Sequence, residues 1–409
     1  MKSVCIVVQN VYDIDPRVRR KAEALVSAGF SVDVFALAPP SGAKRYVLDG
    51  VNVIALSLGK ARGSLVRYFF EYFAFFVWIS MIVPKHMIKR RYSVIDVNSL
   101  PDFLVFAPFV AKLMGATLIL DLHEITPEFY MSKYGVKENS WIVKILKFQE
   151  WVSVAFADQV ITINEPILEL LVERGLKRSK ATVVMNAVDE ERFAANSKNV
   201  KHRSRESNLF VMMYHGTLTK IYGLDIAVSA FSQVHERMPG AELWILGAGP
   251  EQEVLRKMVE AADLGAKIRI VGQVPSREIP QWLDDCDVGL LPIRRDVFLD
   301  FAFPNKLPEF VISGKPVLIS RLKAIRYYFP DSCLCFFEPN DAKSLGEQMV
   351  HMYLNRDMRT ELPARAREAY EPIRWHVMKG RYLDLVGRCT RSTLKADAQA
   401  ADSNLGAAN

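Results

Sequence analysis

Short apolar runs alternate along this chain with longer amphipathic segments, and this alternation constrains the fold more than any other feature. Runs such as Val4–Val8 and Val94–Val97 predict strands that are buried on both faces. Segments such as Pro16–Ala28 predict helices, and this one begins at an Asp15 cap and stops at Gly29. Repeated strand–helix units of this kind predict an α/β fold built on parallel sheets.

The length and one break in the pattern predict the domain organisation. At about 150 residues per domain, 409 residues are too many for one domain. Between Ala194 and Ser207 the apolar periodicity gives way to polar and basic residues, which is typical of a linker. The predicted parts are a Rossmann-like domain at 1–195, a linker at 196–208, a second Rossmann-like domain at 209–372, a C-terminal helix at 373–392 that could cross back to the first domain, and a disordered tail at 393–409. Since ligands of open parallel sheets bind outside the carboxyl ends of the strands, we expect both domains to direct their loops into a cleft between them.

Composition excludes several classes of protein. Half of the residues are hydrophobic and 24% are charged, which excludes a disordered chain and a multi-span membrane protein. The net charge of +7 is a diffuse basic excess, so we expect no nucleic-acid partner. The five cysteines have no zinc-ligand spacing, which predicts no metal site and suits a reducing, cytoplasmic location.

Two glycine-containing turns follow predicted strands. In the first, Gly216 and Thr217 precede Lys220, and the turn could hold an anion. In the second, Gly249 and Pro250 precede a predicted helix, but the third glycine of the dinucleotide fingerprint is missing. The sequence therefore predicts no nicotinamide or flavin cofactor. An ordinary strand–helix turn explains the first segment equally well, while the glycines of the second still permit close backbone contact with a nucleotide.

The segment between residues 303 and 317 is the most informative. Asn305 and Lys306 begin a predicted helix, whose free N–H groups and dipole favour a diphosphate. Glu309 follows one turn later, where its carboxylate could accept hydrogen bonds from a ribose diol. The alternative is a capped surface helix with an exposed glutamate.

The chain resembles the retaining glycosyltransferases of family four, which have the GT-B architecture of two facing Rossmann-like domains. The resemblance covers nearly the whole chain, to about Val386, and is specific in the order and spacing of its motifs. It is carried by Asp15–Arg20, Asp121–Glu124, Val184–Asp189, His215–Gly216, Tyr222–Asp225, Gly247–Pro250, Cys286–Gly289 and Pro304–Val317. It implies transfer of a sugar from a nucleotide-sugar without an obligatory metal.

The resemblance also implies roles for individual residues. Glu309 matches the glutamate that binds the nucleotide ribose, and His123 matches a histidine near the transferring sugar, with Glu124 as its neighbour. The matching donor-site positions are Gly216, Thr217, Gly249, Pro250, Val274, Asn305, Lys306 and Leu307. We expect His123, Glu124, Lys220 and Lys306 to act in catalysis. Acceptor-side candidates are Asp15, Arg17, Asn98 and Asp300.

The chain departs from the family pattern at two places. Where the family often has a sugar-facing glutamate, eight residues before Glu309, this chain has Phe301, and the adjacent Asp300 could substitute if the loop bends. Thr217 and Tyr222 occupy positions that are often basic, which leaves Lys220 as the candidate cation for the diphosphate.

These observations predict a retaining transferase that moves a sugar from a UDP- or GDP-sugar to a glycan or polyprenyl-linked acceptor, in surface polysaccharide biosynthesis. The alternatives are a catalytically silent sugar-nucleotide binding or scaffold protein, suggested by Phe301, and a nucleotide-sugar epimerase of similar architecture.

An aromatic segment near the end of the first quarter of the chain predicts either a membrane contact or a core helix. Residues 68–83 are apolar but contain Glu71 and are too short to span a bilayer. Lys85, Lys89, Arg90 and Arg91 follow, so the region 67–91 could lie on an anionic membrane surface and make the protein peripheral to the inner face of the plasma membrane.

Overall fold

The computed structural model describes residues 2–58, 65–190, 193 and 209–406. The chain divides into two compact units. Unit 1 comprises residues 1–186 and 376–409, and unit 2 comprises Ala187–Trp375. Each unit contains a parallel sheet, so the predicted α/β class is confirmed.

Unit 1 is built on an eight-stranded sheet of order β3-β4-β2-β1-β5-β6-β7-β8. All neighbouring strands are parallel except β3 and β4. The strands are β1 (Ser3–Val11), β2 (Ser31–Leu37), β3 (Arg45–Leu48), β4 (Val51–Leu56), β5 (Val94–Asn98), β6 (Thr117–Leu122), β7 (Gln159–Thr162) and β8 (Ala181–Val183). The central strands β1, β5 and β6 are almost wholly buried, as expected for a sheet with helices on both faces.

The helices of unit 1 are α1 (Pro16–Ser27), α2 (Leu65–Arg90), α3 (Phe109–Leu113), α4 (Thr126–Tyr134), α5 (Trp141–Phe156), α6 (Glu165–Glu173) and the last helix of the chain, α14 (Trp375–Gly406). The Asp15 side chain accepts hydrogen bonds from the backbone N–H groups of Arg17 and Val18, so it caps α1 as predicted. Within the described residues, every helix is too short or too polar to cross a membrane.

Unit 2 is built on a six-stranded parallel sheet of order β11-β10-β9-β12-β13-β14. Its strands are β9 (Phe210–His215), β10 (Ala241–Leu246), β11 (Ile268–Gly272), β12 (Val288–Leu291), β13 (Val317–Ser320) and β14 (Cys335–Phe337). Its helices are α7 (Leu224–Val234), α8 (Gln252–Ala261), α9 (Ile279–Asp285), α10 (Lys306–Ile312), α11 (Lys323–Tyr328), α12 (Ala342–Leu354) and α13 (Arg356–Tyr370). The strand order runs outward from β9 to β11 on one side of the sheet and from β12 to β14 on the other. Ligands of open parallel sheets bind at such a switch in strand order, which here lies between β9 and β12.

The structure differs from the predicted boundaries in two places. Unit 2 begins at Ala187 rather than at the predicted linker, because Glu190 accepts hydrogen bonds from the Tyr370 hydroxyl and the Trp375 N–H of the same unit. The predicted linker, residues 196–208, lies outside the described residues. Residues 393–406, predicted to be disordered, continue α14, since an alanine-rich segment has high helix propensity.

The aromatic helix α2 has one buried apolar face and one exposed apolar face. Phe75, Ile79, Val83 and Met87 recur every four residues and are buried. The other side of the helix leaves apolar residues exposed, among them Phe70, Phe73, Met81 and Ile88. The helix is therefore partly a core helix, and its second apolar face is uncovered.

Candidate functional site

In unit 2, Gly216 in the turn after β9 packs against the side chain of Lys306, the first residue of α10. Gly216 has a φ of 128°, and a Cβ built on it would lie 1.9 Å from Cε of Lys306. The ammonium of Lys306 lies over the ring of Tyr222 at 3.9 Å from its centroid, and over that of Tyr214 at 5.5 Å. The glycine thus makes room for the lysine, and two aromatic rings hold the ammonium beside the turn.

The beginning of α10 offers fewer hydrogen-bond donors than the sequence predicts. The N–H of Leu307 donates to the carbonyl of Pro304, and Pro308 has no N–H. The donors that remain at this helix start are the backbone N–H groups of Asn305 and Lys306. Asn305 is exposed, and its side chain makes no capping hydrogen bond. Positive charge at this end of α10 therefore comes mainly from the Lys306 ammonium.

Three titratable side chains meet beside this turn, and burial shifts the pKa of each. Burial raises the pKa of Glu309 to about 7, against the opposing effect of Lys306. Burial lowers the pKa of Lys306 to about 8, with Glu309 opposing the shift. Burial, with a smaller contribution from Lys306, lowers the pKa of His215 to about 3. His215 Nε2 lies 3.4 Å from a Glu309 carboxylate oxygen, but a neutral imidazole does not form an ion pair with it.

The other predicted donor-site residues lie on the loops after the neighbouring strands. Gly249 follows β10, and a Cβ there would lie 2.3 Å from the carbonyl oxygen of Leu218, so the two loops touch through their backbones. Pro250 is exposed, and Val274 is half-buried after β11. Thr217 and Lys220 are exposed on the loop after β9. The structure therefore brings the predicted positions to the carboxyl ends of β9, β10 and β11, while Lys220 lies further out than Lys306.

The carboxylate of Asp300 is engaged by a backbone hydrogen bond and by an arginine. One of its oxygens accepts a hydrogen bond from the backbone N–H of Lys323, at 3.0 Å, at the first residue of α11. The same oxygen lies 3.4 Å from Nε of Arg295. The ammonium of Lys323 lies over the Phe301 ring, 5.0 Å from its centroid. Asp300 thus caps a helix in this structure.

In unit 1, the carboxyl ends of β5 and β6 carry a buried charged network around Lys21 of α1. The Lys21 ammonium donates to Asp96 at 3.0 Å, to the side-chain oxygen of Asn98 at 2.7 Å and to Asp121. Asp96 also accepts a hydrogen bond from the hydroxyl of Tyr382 on α14, at 2.8 Å. Burial by itself would lower the pKa of Lys21. The two neighbouring aspartates outweigh this effect, so the pKa of the lysine is raised overall.

This network fixes the tautomer of His123. Lys21 has only donors, so the atom of Asn98 that it contacts must be the oxygen. The same oxygen lies 2.9 Å from Nε2 of His123, which must therefore carry a proton. Nδ1 of His123 is buried and has no hydrogen-bond partner among the described residues. Burial, Arg17 and Lys21 lower the pKa of His123 well below its usual value, so the ring is neutral and presents Nδ1 as a free acceptor.

The remaining unit 1 candidates surround His123. Burial raises the pKa of Glu124, against the effects of Arg17 and Lys133. Asp15 accepts from the Asn10 amide at 3.1 Å, and Arg17 Nε lies 3.9 Å from its carboxylate. Burial opposes the charge on Asp15, but Arg17 and these hydrogen bonds lower its pKa overall. The structure thus brings together Asp15, Arg17, Asn98, His123 and Glu124.

Sequence reasoning missed several residues of both sites. Lys21 has no local signal in the sequence, because the three side chains it binds lie 75 to 100 residues further along the chain. Tyr214 was also missed, although its position on β9 immediately before His215 was an available signal. No group of three or more histidine, cysteine or acidic side chains in the described part of the chain could hold a metal ion.

Two family models match the chain. The model described as "Glycosyl transferases group 1" matches residues 210–355. The model described as "Glycosyl transferase 4-like domain" matches residues 14–187. Together they cover most of both units.

Individual proteins resemble the chain over different lengths. WcaL of Escherichia coli (strain K12), whose name places it in colanic acid biosynthesis as a glycosyltransferase, is 29% identical over 217 residues, which is 52% of each chain. The chain therefore spans about half the length of the first curated relatives that it matches. Sucrose-phosphate synthase from Thermosynechococcus elongatus has a TM-score of 0.72 and 18% identity, over 97% of this chain and all of that one. Anabaena HepE in complex with UDP has a TM-score of 0.71 and 14% identity, over 95% of this chain and all of that one. These two likenesses establish the fold.

Proposed function

Because the chain belongs to the glycosyltransferases, we propose that it transfers a sugar from a UDP- or GDP-sugar to a glycan or lipid-linked acceptor, with retention of the anomeric configuration. A role in surface polysaccharide biosynthesis is supported by the similarity to WcaL. A nucleotide-sugar donor is supported by the similarity to HepE, which was solved with UDP.

The observation that carries the proposal is the half-buried Lys306 ammonium beside Gly216, one helical turn from the Glu309 carboxylate. A lysine held in a low-dielectric site attracts the diphosphate more strongly than a solvated one. The carboxylate is a suitable acceptor for the two hydroxyls of a ribose. Gly249, Pro250 and Val274 then form the base side of the donor site.

Catalysis in this proposal is electrostatic. The bond between the anomeric carbon and the diphosphate oxygen breaks, and the electron pair leaves with the nucleoside diphosphate. The acceptor hydroxyl forms the new bond to the anomeric carbon from the same face and gives its proton to a phosphate oxygen. Lys306, Lys220 and the N–H of Asn305 stabilise the charge that develops on the phosphates, and losing one such donor costs about 2–4 kcal/mol of transition-state stabilisation.

Unit 1 supplies His123 in this proposal. Its unpartnered Nδ1 is available to accept a hydrogen bond from a sugar hydroxyl, with Glu124 beside it. Asp15, Arg17 and Asn98 serve the acceptor side, where Arg17 supplies positive charge and Asn98 orients His123.

Donor binding tests the proposal. We expect UDP and GDP, screened with their sugars, to raise the unfolding temperature, because a ligand that binds only the native state stabilises it. Glu309→Ala should weaken nucleotide affinity while leaving the fold intact. Glu253→Ala is the matched control, since Glu253 is an exposed glutamate in the first turn of α8. Equal affinities in the two variants would contradict the ribose assignment.

A second candidate is a protein that binds the sugar-nucleotide without turning it over. It is favoured by Phe301 at the sugar-facing position and by the use of Asp300 as a cap for α11. Turnover separates the two candidates. A transferase releases nucleoside diphosphate in the presence of acceptor, and Lys306→Met slows that release. A silent binder releases none, and Glu309→Ala changes only its affinity.

We also propose that the protein works at the cytoplasmic face of a membrane through residues 67–91. The uncovered face of α2 carries Phe70, Phe73 and Met81, and the exposed Lys85 and Lys89 lie toward its end. Apolar and basic groups side by side suit an interface with anionic lipids.

A further inference from the structure

Helix α5 exposes an aromatic face to solvent, which is the reverse of what is expected for a surface helix in water. Trp141, Ile145 and Phe148 follow one another at spacings of four and three residues, which places them on one face. These side chains are 73%, 52% and 63% exposed, and Trp151, one turn beyond Phe148, is 52% exposed. An ordinary surface helix would bury this face against the core.

The opposite face of α5, which packs against the unit, is partly polar. Glu150 is buried and paired with Arg174, whose guanidinium lies 3.1 Å from its carboxylate. Ser153 is fully buried. The buried side of α5 therefore carries an ion pair, while its large aromatic side chains are among the exposed ones.

The aromatic face of α5 is flanked by further apolar residues. The ring of Phe156, at the end of α5, lies 6.1 Å from that of Phe109 on α3. Phe109 is 48% exposed, and Leu113, the last residue of α3, is 71% exposed. An apolar surface of this kind on a folded chain is typical of a binding surface.

The surroundings of the aromatic face are basic. Between residues 133 and 147 the chain carries four lysines and a single acidic residue, Glu138. Lys144 is exposed on the aromatic side of α5. At the other end of the helix, Lys177 and Lys180 line a cavity of about 290 Å³ together with Trp151. Tryptophans beside lysines match the headgroup region of an anionic bilayer, where each basic residue adds attraction.

We propose that the aromatic face of α5, extended by α3, is a membrane-docking surface that inserts into the interface of a bilayer containing anionic phospholipids. The inference deepens the proposed membrane association, on which it rests for its biological setting. It adds the aromatic face of α5 to the surface of residues 67–91, since α3 contacts α2, and it is independent of the donor chemistry.

Vesicle binding tests this surface directly. We expect the protein to co-sediment with vesicles of phosphatidylglycerol and phosphatidylcholine more than with phosphatidylcholine alone, and less at high salt. The variant with Trp141→Gln, Ile145→Gln, Phe148→Gln and Trp151→Gln should lose about 100-fold or more in partitioning, because several apolar side chains no longer insert. Val254→Gln with Leu354→Gln is the matched control, since both side chains are similarly exposed in unit 2.

Tryptophan quenching gives a second readout. Trp141→Phe with Trp151→Phe should keep most of the vesicle binding but lose most of the quenching by brominated lipids. An unchanged partitioning of the four-residue variant would overturn the proposal. So would a change from dimer to monomer in that variant without loss of vesicle binding, because the face would then join two copies of the chain.

The outcomes also separate this inference from the proposed function. If Phe70→Gln with Phe73→Gln abolishes vesicle binding and the α5 variant does not, the α5 surface is wrong and the α2 surface stands. If neither variant matters because the protein ignores vesicles, both surfaces are wrong. Nucleotide binding is measured without vesicles and can succeed or fail in either case.

Discussion

Replacing Glu309 by glutamine should strengthen the fold and weaken the donor site at the same time. Burial raises the pKa of this carboxyl from 4.5 to about 7. The folded protein therefore holds the proton more tightly than the unfolded chain does. The resulting stability is present below pH 4.5 and is lost as the pH rises through 7.

The magnitude follows from the size of this shift. At 1.36 kcal/mol per pH unit, the difference between 4.5 and about 7 corresponds to about 3 kcal/mol. The Glu309 side chain is 25% exposed, so solvent screens it only in part. Glutamine does not titrate, so Glu309→Gln should gain up to about 3 kcal/mol over the parent protein between pH 5 and pH 8. Lys306 loses a counter-charge in the variant, which offsets part of that gain.

Hydrogen exchange of the amides in β9 and β12 measures the unfolding of unit 2 alone. The relevant quantity is the difference in unfolding free energy between variant and parent at pH 5 and at pH 8. Glu253→Gln is the control, because it makes the same substitution at an exposed glutamate in the first turn of α8. Nucleotide affinity should fall at least about tenfold in Glu309→Gln, since hydrogen bonds to a charged acceptor are lost. A difference in stability that does not change with pH would refute the reasoning.

Three further variants or measurements test the two sites. Gly216→Ala should lower nucleotide affinity in a UDP titration and destabilise unit 2 by about 1–3 kcal/mol. The reason is that φ is positive at this residue and the new Cβ would lie 1.9 Å from Cε of Lys306. A nucleotide affinity equal to that of the parent protein would contradict this close contact. Lys21→Met should destabilise unit 1 by about 3–5 kcal/mol in urea unfolding, because two buried aspartates lose their cation. Adding Asp121→Asn should cost less than the sum of the single effects, whereas simple additivity would argue against a coupled network. The ring nitrogens of His123, followed by NMR, should show the neutral Nε2–H form well below pH 6.5, and a titration midpoint near 6.5 would mean that the ring is solvated.

The sequence predicts the strands well because their apolar runs are buried on both faces, as in β1 and β5. The edge strand β3 is missed, since Arg45–Leu48 is short and only half-buried. The signal that could have found it is the pair Asp49-Gly50, which joins β3 to β4 with positive φ at both residues, as in a tight hairpin. Helix α13 is missed because it is rich in charge and buries few residues.

The proposed donor side of the site rests on more local signals than the rest. Glycines and a helix start are local signals, so the positions around Gly216 and Glu309 follow from the sequence. Partnerships between distant side chains do not, and the burial of Lys21 depends on strands that fold around it. The exposed aromatic face of α5 escapes for a different reason. Its periodicity is that of an ordinary helix, and only the structure reveals which face points away from the unit.

Because the last helix belongs to unit 1, it determines which of the two units is completed first during synthesis. Ala187–Trp375 is one continuous segment, so all of unit 2 leaves the ribosome before α14 exists. Unit 1 begins to emerge first but is finished last, when Tyr382 reaches the buried carboxylate of Asp96 and Met378 reaches the backbone of Met185. A stop codon anywhere after Trp375 but before Tyr382 would therefore damage the half of the protein that was made earliest and leave the later half whole.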